Sequence, residues 1–188
     1  MISASDLRKG LKIELDGHPY QITDFDFCKP GKGTALYRCK LKHMITGNTM
    51  DKTFRPNDRM AKPNIEERAY TYVYETPDNY VFSDNDTYEE CYITSDLLGV
   101  QKYFLIEEQQ CKILFYNDSP IEVTLPIFIE KTIEYTEPGA KGDTATNTLK
   151  PAKLDNGYEV QVPLFVNEGD VIKLDTRTGE YSERVSKA

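Results

Sequence analysis

The feature that most constrains the fold is a succession of short alternating segments separated by turn residues. LKIELDGHPYQITDF carries Asp16-Gly17 between two alternating runs, and CKILFYNDSPIEVTLP carries Asn117-Asp118 in the same way. Such pairs signal a hairpin, because Asp, Asn and Gly accept the positive φ of a tight turn. Many short strands at regular spacing favour small β-barrels over a parallel sheet. The sequence therefore predicts an all-β protein.

One strand is predicted to have an apolar and a basic face. The segment TALYRCKLK alternates between two faces. One face consists of Ala35, Tyr37, Cys39 and Leu41, and the other consists of Leu36, Arg38, Lys40 and Lys42. Successive side chains of a strand point to opposite sides, so the basic face is expected to be exposed. The segment TSDLLGVQKYFL, which opens with a Thr94/Ser95 cap, is predicted to be a short helix.

Breaker residues suggest three domains. RPNDRMAKPN (55–64) contains two prolines and no apolar periodicity, which is typical of a linker. Pro126 interrupts a second β-like run and marks a less distinct boundary. The predicted domains are residues 1–62, 63–128 and 129–188.

Charge is distributed unevenly among these parts. Residues 1–62 have twelve Lys or Arg and seven Asp or Glu, a net charge of +5 within a chain of −8. Residues 63–126 have three and thirteen, a net charge of −10, and residues 127–188 have eight and eleven, a net charge of −3. This asymmetry favours a polyanionic partner at the first part only, although chance variation in charge also explains it.

Motifs for catalysis and metal binding are weak. GKGT (31–34) lacks the GxxxxGK[ST] spacing and the following helix of a phosphate-binding loop. DNDTYEE (84–90) lacks the glycine of a calcium loop, and the four cysteines form no CxxC pair. No run approaches the roughly 20 apolar residues of a membrane span, and no secretory signal is expected. The sequence predicts no enzyme, cofactor or metal, no membrane association, and reduced thiols in the cytoplasm.

The segment FCKPGKGTAL (27–36) is the strongest candidate site. Lys32 lies between Gly31 and Gly33, with Lys29 and Pro30 before them. A hairpin connection explains the proline and the glycines as turn residues. A functional interpretation adds that glycines allow close backbone approach and that a lysine on a flexible stem suits a phosphate backbone, with Arg38 in support. The residues alone leave both interpretations open.

The order of KPGKGTA, KLKHMITGNTMDKTF and KPAKLDNGYEVQVPLFVNEG along the chain resembles bacterial elongation factor P. The resemblance covers the whole chain. Lys32 and GDTAT are similar to elongation factor P proper rather than to its paralogous branch, which carries arginine at the loop tip. The resemblance implies an SH3-like (KOW-like) first domain followed by two OB-folds, in an L-shaped arrangement similar to tRNA.

The resemblance also implies a function. Members of the family are non-enzymatic translation factors that bind the 70S ribosome, touching both subunits, between the peptidyl-tRNA and exit sites. There they stimulate peptide-bond formation when the ribosome stalls at consecutive prolines. The implied partners are the ribosome, the P-site peptidyl-tRNA and an enzyme that modifies the loop lysine.

Individual positions follow from the same likeness. Lys32 matches the modified lysine. β-Lysylation by a lysyl-tRNA synthetase-like ligase is the first expectation, hydroxylation belongs to the implied chemistry, and 5-aminopentanol modification or none is also compatible. The implied tRNA and ribosome contacts are Lys29, Pro30, Gly31, Lys32, Gly33, Arg38, Gly142, Asp143, Thr144, Tyr181 and Arg184. The triplet 142–144 is expected near the exit-site codon. Tyr181 is equally well explained as a packed strand aromatic.

Two other functional classes remain open from the residues. A generic OB-fold RNA binder or chaperone would use aromatic stacking platforms, but the aromatic residues concentrate in the acidic third of the chain. An interaction scaffold would leave Lys32 without a role.

Overall fold

The computed structural model describes residues 1–139 and 148–188. Strands dominate both ranges, which confirms the all-β prediction. In chain order the strands of the described residues are β1 (Ile2–Ser3), β2 (Lys12–Leu15), β3 (His18–Cys28), β4 (Leu36–His43), β5 (Thr49–Phe54), β6 (Arg59–Met60), β7 (Ile65–Glu75), β8 (Asn79–Asp84), β9 (Glu90–Thr94), β10 (Gln110–Tyr116), β11 (Ser119–Thr124), β12 (Phe128–Thr136), β13 (Leu149–Leu154), β14 (Glu159–Pro163), β15 (Val171–Asp175) and β16 (Glu180–Ser186).

Helix is confined to short segments in these ranges. The α-helix α1 (Ser95–Leu98) begins after Thr94, whose Oγ1 accepts a hydrogen bond from the Leu97 amide at 3.4 Å. It continues as the 3-10 helix Gly99–Phe104, and another 3-10 turn covers Ala4–Asp6. The predicted short helix and its threonine cap are therefore confirmed.

The strands of the described ranges form four sheets. Their orders are β1-β6, β2-β3-β4-β5, β11-β10-β7-β8-β9 and β14-β13-β12-β15-β16. The chain separates into two compact units, one of residues 1–68 with 113–122 and the other of residues 69–112 with 123–188.

The first unit is organised by the antiparallel sheet β2–β5 and the pair β1-β6. On β4, Cys39 and Leu41 are buried, whereas Arg38, Lys40 and Lys42 are exposed. This confirms the predicted apolar and basic faces. The core beneath the sheet consists of Ala4, Leu7, Ile13, Ile22, Cys39, Leu41, Phe54 and Met60.

The hairpin turns have the backbone conformation that their residues favour. Asp16 and Gly17, between β2 and β3, have φ of 51° and 76°. Asn117 and Asp118, between β10 and β11, have φ of 48° and 63°. Both pairs therefore match the two-residue turns predicted from the sequence.

The predicted linker, residues 55–64, contains ordered structure. It includes β6, and Met60 on that strand is only 2% exposed. The Ala61 carbonyl accepts a hydrogen bond from the Glu14 amide at 2.9 Å. A two-residue strand is too short to show alternation, so no strand was predicted here.

The second unit contains the antiparallel sheet β14-β13-β12-β15-β16. Its core includes Ile133, Leu154, Val162, Ile172 and Leu174, each exposed by 1% or less. All four cysteines of the chain are described and are free thiols. No helix in the described part is long and apolar enough to cross a membrane.

Candidate functional site

The connection between β3 and β4 presents the candidate lysine. Residues 29–35 join the two strands, and every residue from 29 to 34 is exposed. The strands remain paired to the base of this loop, with Phe27 opposite Tyr37 and Cys28 opposite Leu36. The rings of Phe27 and Tyr37 lie 5.1 Å apart between centroids. A regular ladder therefore supports an exposed tip.

The two glycines of this tip are not required by its conformation. Neither Gly31 nor Gly33 has a positive φ. A Cβ added to Gly31 would meet nothing within 4 Å, and one added to Gly33 would only touch Pro30, at 3.6 Å. Larger residues would thus fit sterically. The shape of the turn therefore does not explain the two glycines.

The cations around the loop have no bonded partner among the described residues. Among the described residues, Lys29, Lys32 and Arg38 form no hydrogen bond or ion pair with protein groups. Arg38 lies on the exposed face of β4 together with Lys40 and Lys42. Asp26 on β3 is paired with Arg38, and Lys40 is paired with Asp24 on β3 and Asp51 on β5, so carboxylates on the same sheet face offset part of this positive charge.

Sequence reasoning missed Phe27. This ring, one residue before the end of β3, is 49% exposed although it belongs to an aromatic group with Phe25 and Tyr37. An exposed aromatic beside a cationic loop can stack on a base or a sugar. The signal was present in the alternation of FDF (25–27), which places both phenylalanines on one strand face next to the loop.

Two other predicted contacts lie on β16 of the second unit. Tyr181 pairs with Leu174 in the β15-β16 ladder and is partly buried, and this burial raises the pKa of its hydroxyl. It also lines a surface groove with Leu149, Tyr158, Gln161 and Gly179. The structure therefore gives Tyr181 a packed body and an accessible edge.

Arg184 is engaged by its own unit. Its Nη1 donates to the Phe165 carbonyl at 3.1 Å and to Oδ2 of Asp170 at 3.3 Å. The guanidinium also lies over the Phe165 ring, 4.8 Å from the centroid. The Arg184 side chain is 22% exposed and makes these three internal contacts. It is therefore less available to a partner than Lys32.

Asp170 is the centre of this cluster and is 2% exposed. Burial by itself raises the pKa of Asp170. Hydrogen bonds from the amides of Asn167 and Ala188, both at 2.9 Å, and the Arg184 guanidinium outweigh it, so the pKa lies below its usual value. The carboxylate is thus ionised and fully bonded at neutral pH.

The predicted site residues fall into separate groups. Lys29, Pro30, Gly31, Lys32, Gly33 and Arg38 share one hairpin of the first unit, whereas Tyr181 and Arg184 share one strand of the second. Gly142, Asp143 and Thr144 lie outside the described residues. Within the described ranges no group of three or more His, Cys, Asp or Glu is placed to hold a metal ion.

Comparison with protein families assigns most of the chain. Residues 3–60 match the family model of the elongation factor P KOW-like domain, and residues 65–123 match the elongation factor P OB domain. Residues 129–184 match the model described as elongation factor P, C-terminal. The first two matches confirm the KOW-like first domain and the OB-fold of the middle domain that the resemblance implied.

Relatives that align over the full length of the chain agree with these family matches. A protein named elongation factor P from Desulfotalea psychrophila is 49% identical over 187 residues, covering 100% of both chains. Another of that name from Syntrophus aciditrophicus is 48% identical, covering 98% of this chain and 99% of the relative.

A solved structure, eukaryotic translation initiation factor 5A from Methanococcus jannaschii, aligns with a TM-score of 0.56. It is 20% identical, covers 66% of this chain and 91% of its own, and supports the fold alone. The full-length identity decides the family: this chain belongs to the elongation factor P family and is a translation elongation factor, not an enzyme.

Proposed function

We propose that the protein binds the ribosome between the peptidyl-tRNA and exit sites and relieves stalling at consecutive prolines. Membership of the family implies work on the ribosome, and the proposed location of this work is the cytoplasm. Proline fixes φ and attacks through a secondary amine, so the geometry of attack is restricted. A factor that positions the end of the peptidyl-tRNA lowers the barrier entropically without donating a catalytic group.

The observation that carries this proposal is the state of Lys32. The side chain stands at an exposed tip, and the described residues provide it with no ionic partner. The flanking glycines leave the backbone open on both sides. This arrangement suits a cation that enters a narrow site lined by RNA phosphates, with Lys29, Pro30, Gly33 and Arg38 as its surroundings.

The lysine is proposed to act in a modified form. An exposed amine is accessible to an enzyme, and a longer side chain reaches further from the same hairpin. β-Lysylation by a lysyl-tRNA synthetase-like ligase is the first choice, and hydroxylation or a 5-aminopentanol group would extend the chain in related ways. The intact mass of protein purified from its native host, with the peptide spanning Lys32 sequenced, distinguishes these forms from an unmodified lysine.

A second group of contacts is proposed for the last part of the chain. The triplet Gly142, Asp143 and Thr144 is assigned to the exit-site codon and the small subunit, and Tyr181 and Arg184 to the small subunit. Replacing Asp143 and Thr144 with alanine should leave the unfolding transition unchanged and weaken translation of proline-rich messages. Full rescue by this double variant would count against the codon-side contact.

Three domains, residues 1–62, 63–128 and 129–188, are proposed as the modules of this function. The basic first domain would approach the peptidyl-tRNA. The net charge of −10 over residues 63–126 would oppose non-specific RNA binding, so that shape decides where the factor docks.

Binding measurements test the placement directly. We expect binding to ribosomes that carry peptidyl-tRNA, with moderate salt dependence, and little binding to naked single-stranded RNA. Tight binding to bare RNA oligomers that increases with their length would favour the RNA chaperone instead. Unchanged translation with every loop variant would favour the interaction scaffold.

A further inference from the structure

A concave basic cleft occurs in the first unit, apart from the lysine loop. It has a volume of about 480 Å³ and is lined by Arg8, Lys9, Gly10, Leu11, Lys12, Lys62, Pro63 and Ile65. Four of these eight residues are cations, and none is a carboxylate. The unit therefore has a second concentration of positive charge.

The walls of the cleft are fixed by backbone hydrogen bonds. On one side, the turn before β2 is held by the Gly10 amide, which donates to Ile22 at 2.7 Å. On the other side, the segment after β6 is held where the Glu14 amide donates to Ala61 at 2.9 Å. Pro63 is buried, and Leu11 and Ile65 are partly buried. The cleft is thus a built feature of the fold.

The cations of the cleft are not neutralised by the protein. Among the described residues, Arg8, Lys9, Lys12 and Lys62 form no ion pair or hydrogen bond through their side chains. Asp6 lies close enough to Arg8 to interact, but its Oδ2 accepts two bonds from Ser3, at 2.6 and 3.0 Å. Unpaired cations around one concavity favour an anionic ligand with several charges.

The cleft and the Lys32 tip are separate places in the first unit. The Gly10 amide contacts Ile22, whereas the loop follows Cys28, six residues further along β3. At about 3.3 Å per residue, this is roughly 20 Å along the strand. One phosphate group cannot occupy both places, and a polyanion that reached both would have to extend over at least this distance.

We propose that this cleft binds an RNA phosphodiester backbone and acts as a second anchor for the first unit. This inference rests on the proposed function for its biological setting. Flexible lysines around an open concavity suit phosphates on a convex helical surface, and the apolar floor of Leu11 and Ile65 suits the ribose. An acidic protein segment is the competing occupant.

The first experiment measures ribosome affinity over about 50–200 mM salt for the wild type and for Lys9→Gln/Lys62→Gln. Both lysines are exposed, so the variant should fold normally. A plot of the logarithm of ribosome affinity against the logarithm of salt concentration has a negative slope. This slope should become shallower by about 0.7–0.9 for each replaced lysine that contacts a phosphate. A matched control, Lys153→Gln/Lys187→Gln, makes the same charge change at exposed positions of the second unit and should retain the wild-type slope. An unchanged slope in the cleft variant, or an equal loss in the control, would overturn the inference.

The second experiment does not depend on the ribosome. Titration of the isotope-labelled chain with a short RNA duplex should shift the NMR signals of the Gly10 and Leu11 amides, and the cleft variant should lose these shifts. A photoreactive amino acid in place of Lys9 should attach to RNA when the chain is bound to ribosomes. Attachment to protein alone, or absence of the amide shifts, would overturn the inference. If the RNA duplex shifts these amide signals but the chain does not bind ribosomes, the proposed function is overturned and the inference that the cleft binds RNA is retained.

Discussion

Lys32 and Arg184 are both cations that the family resemblance implies in ribosome binding, yet the two regions of the molecule surround them differently. Lys32 stands on an exposed loop and has no ionic partner among the described residues. Arg184 is 22% exposed and contacts the Asp170 carboxylate, the Phe165 carbonyl and the Phe165 ring. The same residue class can therefore serve a partner in one place and its own fold in the other.

This difference separates two kinds of experiment. Replacement of a free cation should change activity and leave stability intact, because no internal contact is lost. Replacement of an engaged cation should change stability first, because its buried partner is left without compensation. Variants at the two positions can therefore be compared by whether activity or stability responds.

The largest effect is expected at Lys32. Lys32→Ala removes the charge and the acceptor amine, so it should abolish rescue of a triple-proline reporter. Its effect on the free energy of unfolding should stay below about 0.5 kcal/mol, as is usual for an exposed site. Full reporter activity of this variant would remove the loop tip from the mechanism.

Lys32→Arg is the control that separates charge from modification. Arginine keeps the positive charge but cannot receive a group directed to a lysine amine. In the native host we expect it to fail almost as completely as alanine. Wild-type activity of Lys32→Arg would show that charge alone suffices.

At Arg184 the expected effect is on stability. Arg184→Ala leaves the Asp170 carboxylate, which is 2% exposed, without its cation, and should lower the free energy of unfolding by about 2 kcal/mol. Urea denaturation measures this loss. Arg177→Ala is a matched control, because its pair with Asp175 is largely exposed on the arginine side and should contribute at most about 1 kcal/mol. Equal losses at both arginines would show that the Asp170 cluster has no special role.

Asp170 gives a smaller effect that depends on pH. Its folded-state pKa is lowered because hydrogen bonds and Arg184 outweigh the cost of burial. Its stabilisation is therefore complete above the unfolded pKa of about 3.9 and is lost as the pH falls through the lower folded value. Asp170→Asn should have a lower free energy of unfolding than the wild type at neutral pH, and this difference should become smaller below about pH 4. A gap that is constant between neutral and acidic pH would contradict the ionised state of Asp170.

Sequence reasoning predicted the class of fold and the turns because these depend on local patterns. Asp16-Gly17 and the alternation around Cys39 and Leu41 are visible in neighbouring residues. The strand β6 was missed because two residues show no period, and they are ordered by distant contacts, namely pairing with Ile2 and Ser3 and burial of Met60 in the core.

The lysine loop was predictable from its residues, whereas the engagement of Arg184 was not. The contacts of Arg184 join residues up to 19 positions apart, such as Phe165. The basic cleft was missed for the same reason, because residues 8–12 and 62–65 meet only in the folded unit.

The smallest effect is expected at the glycines of the lysine loop. Gly31 has no positive φ, and an added Cβ would meet nothing within 4 Å. Gly31→Ala should therefore keep the stability or raise it by about 0.5 kcal/mol, since alanine restricts the unfolded chain. The same substitution at Gly179 should lower the free energy of unfolding, because Gly179 has φ of 75° and an added Cβ would collide with the Tyr158 hydroxyl. If Gly31 serves close approach by a partner, the stable Gly31→Ala protein should show measurably weaker triple-proline rescue. Unchanged rescue would leave Lys32 as the functional part of the tip and remove the glycine from the proposal, and a clear loss of stability would show that the loop needs this glycine to fold.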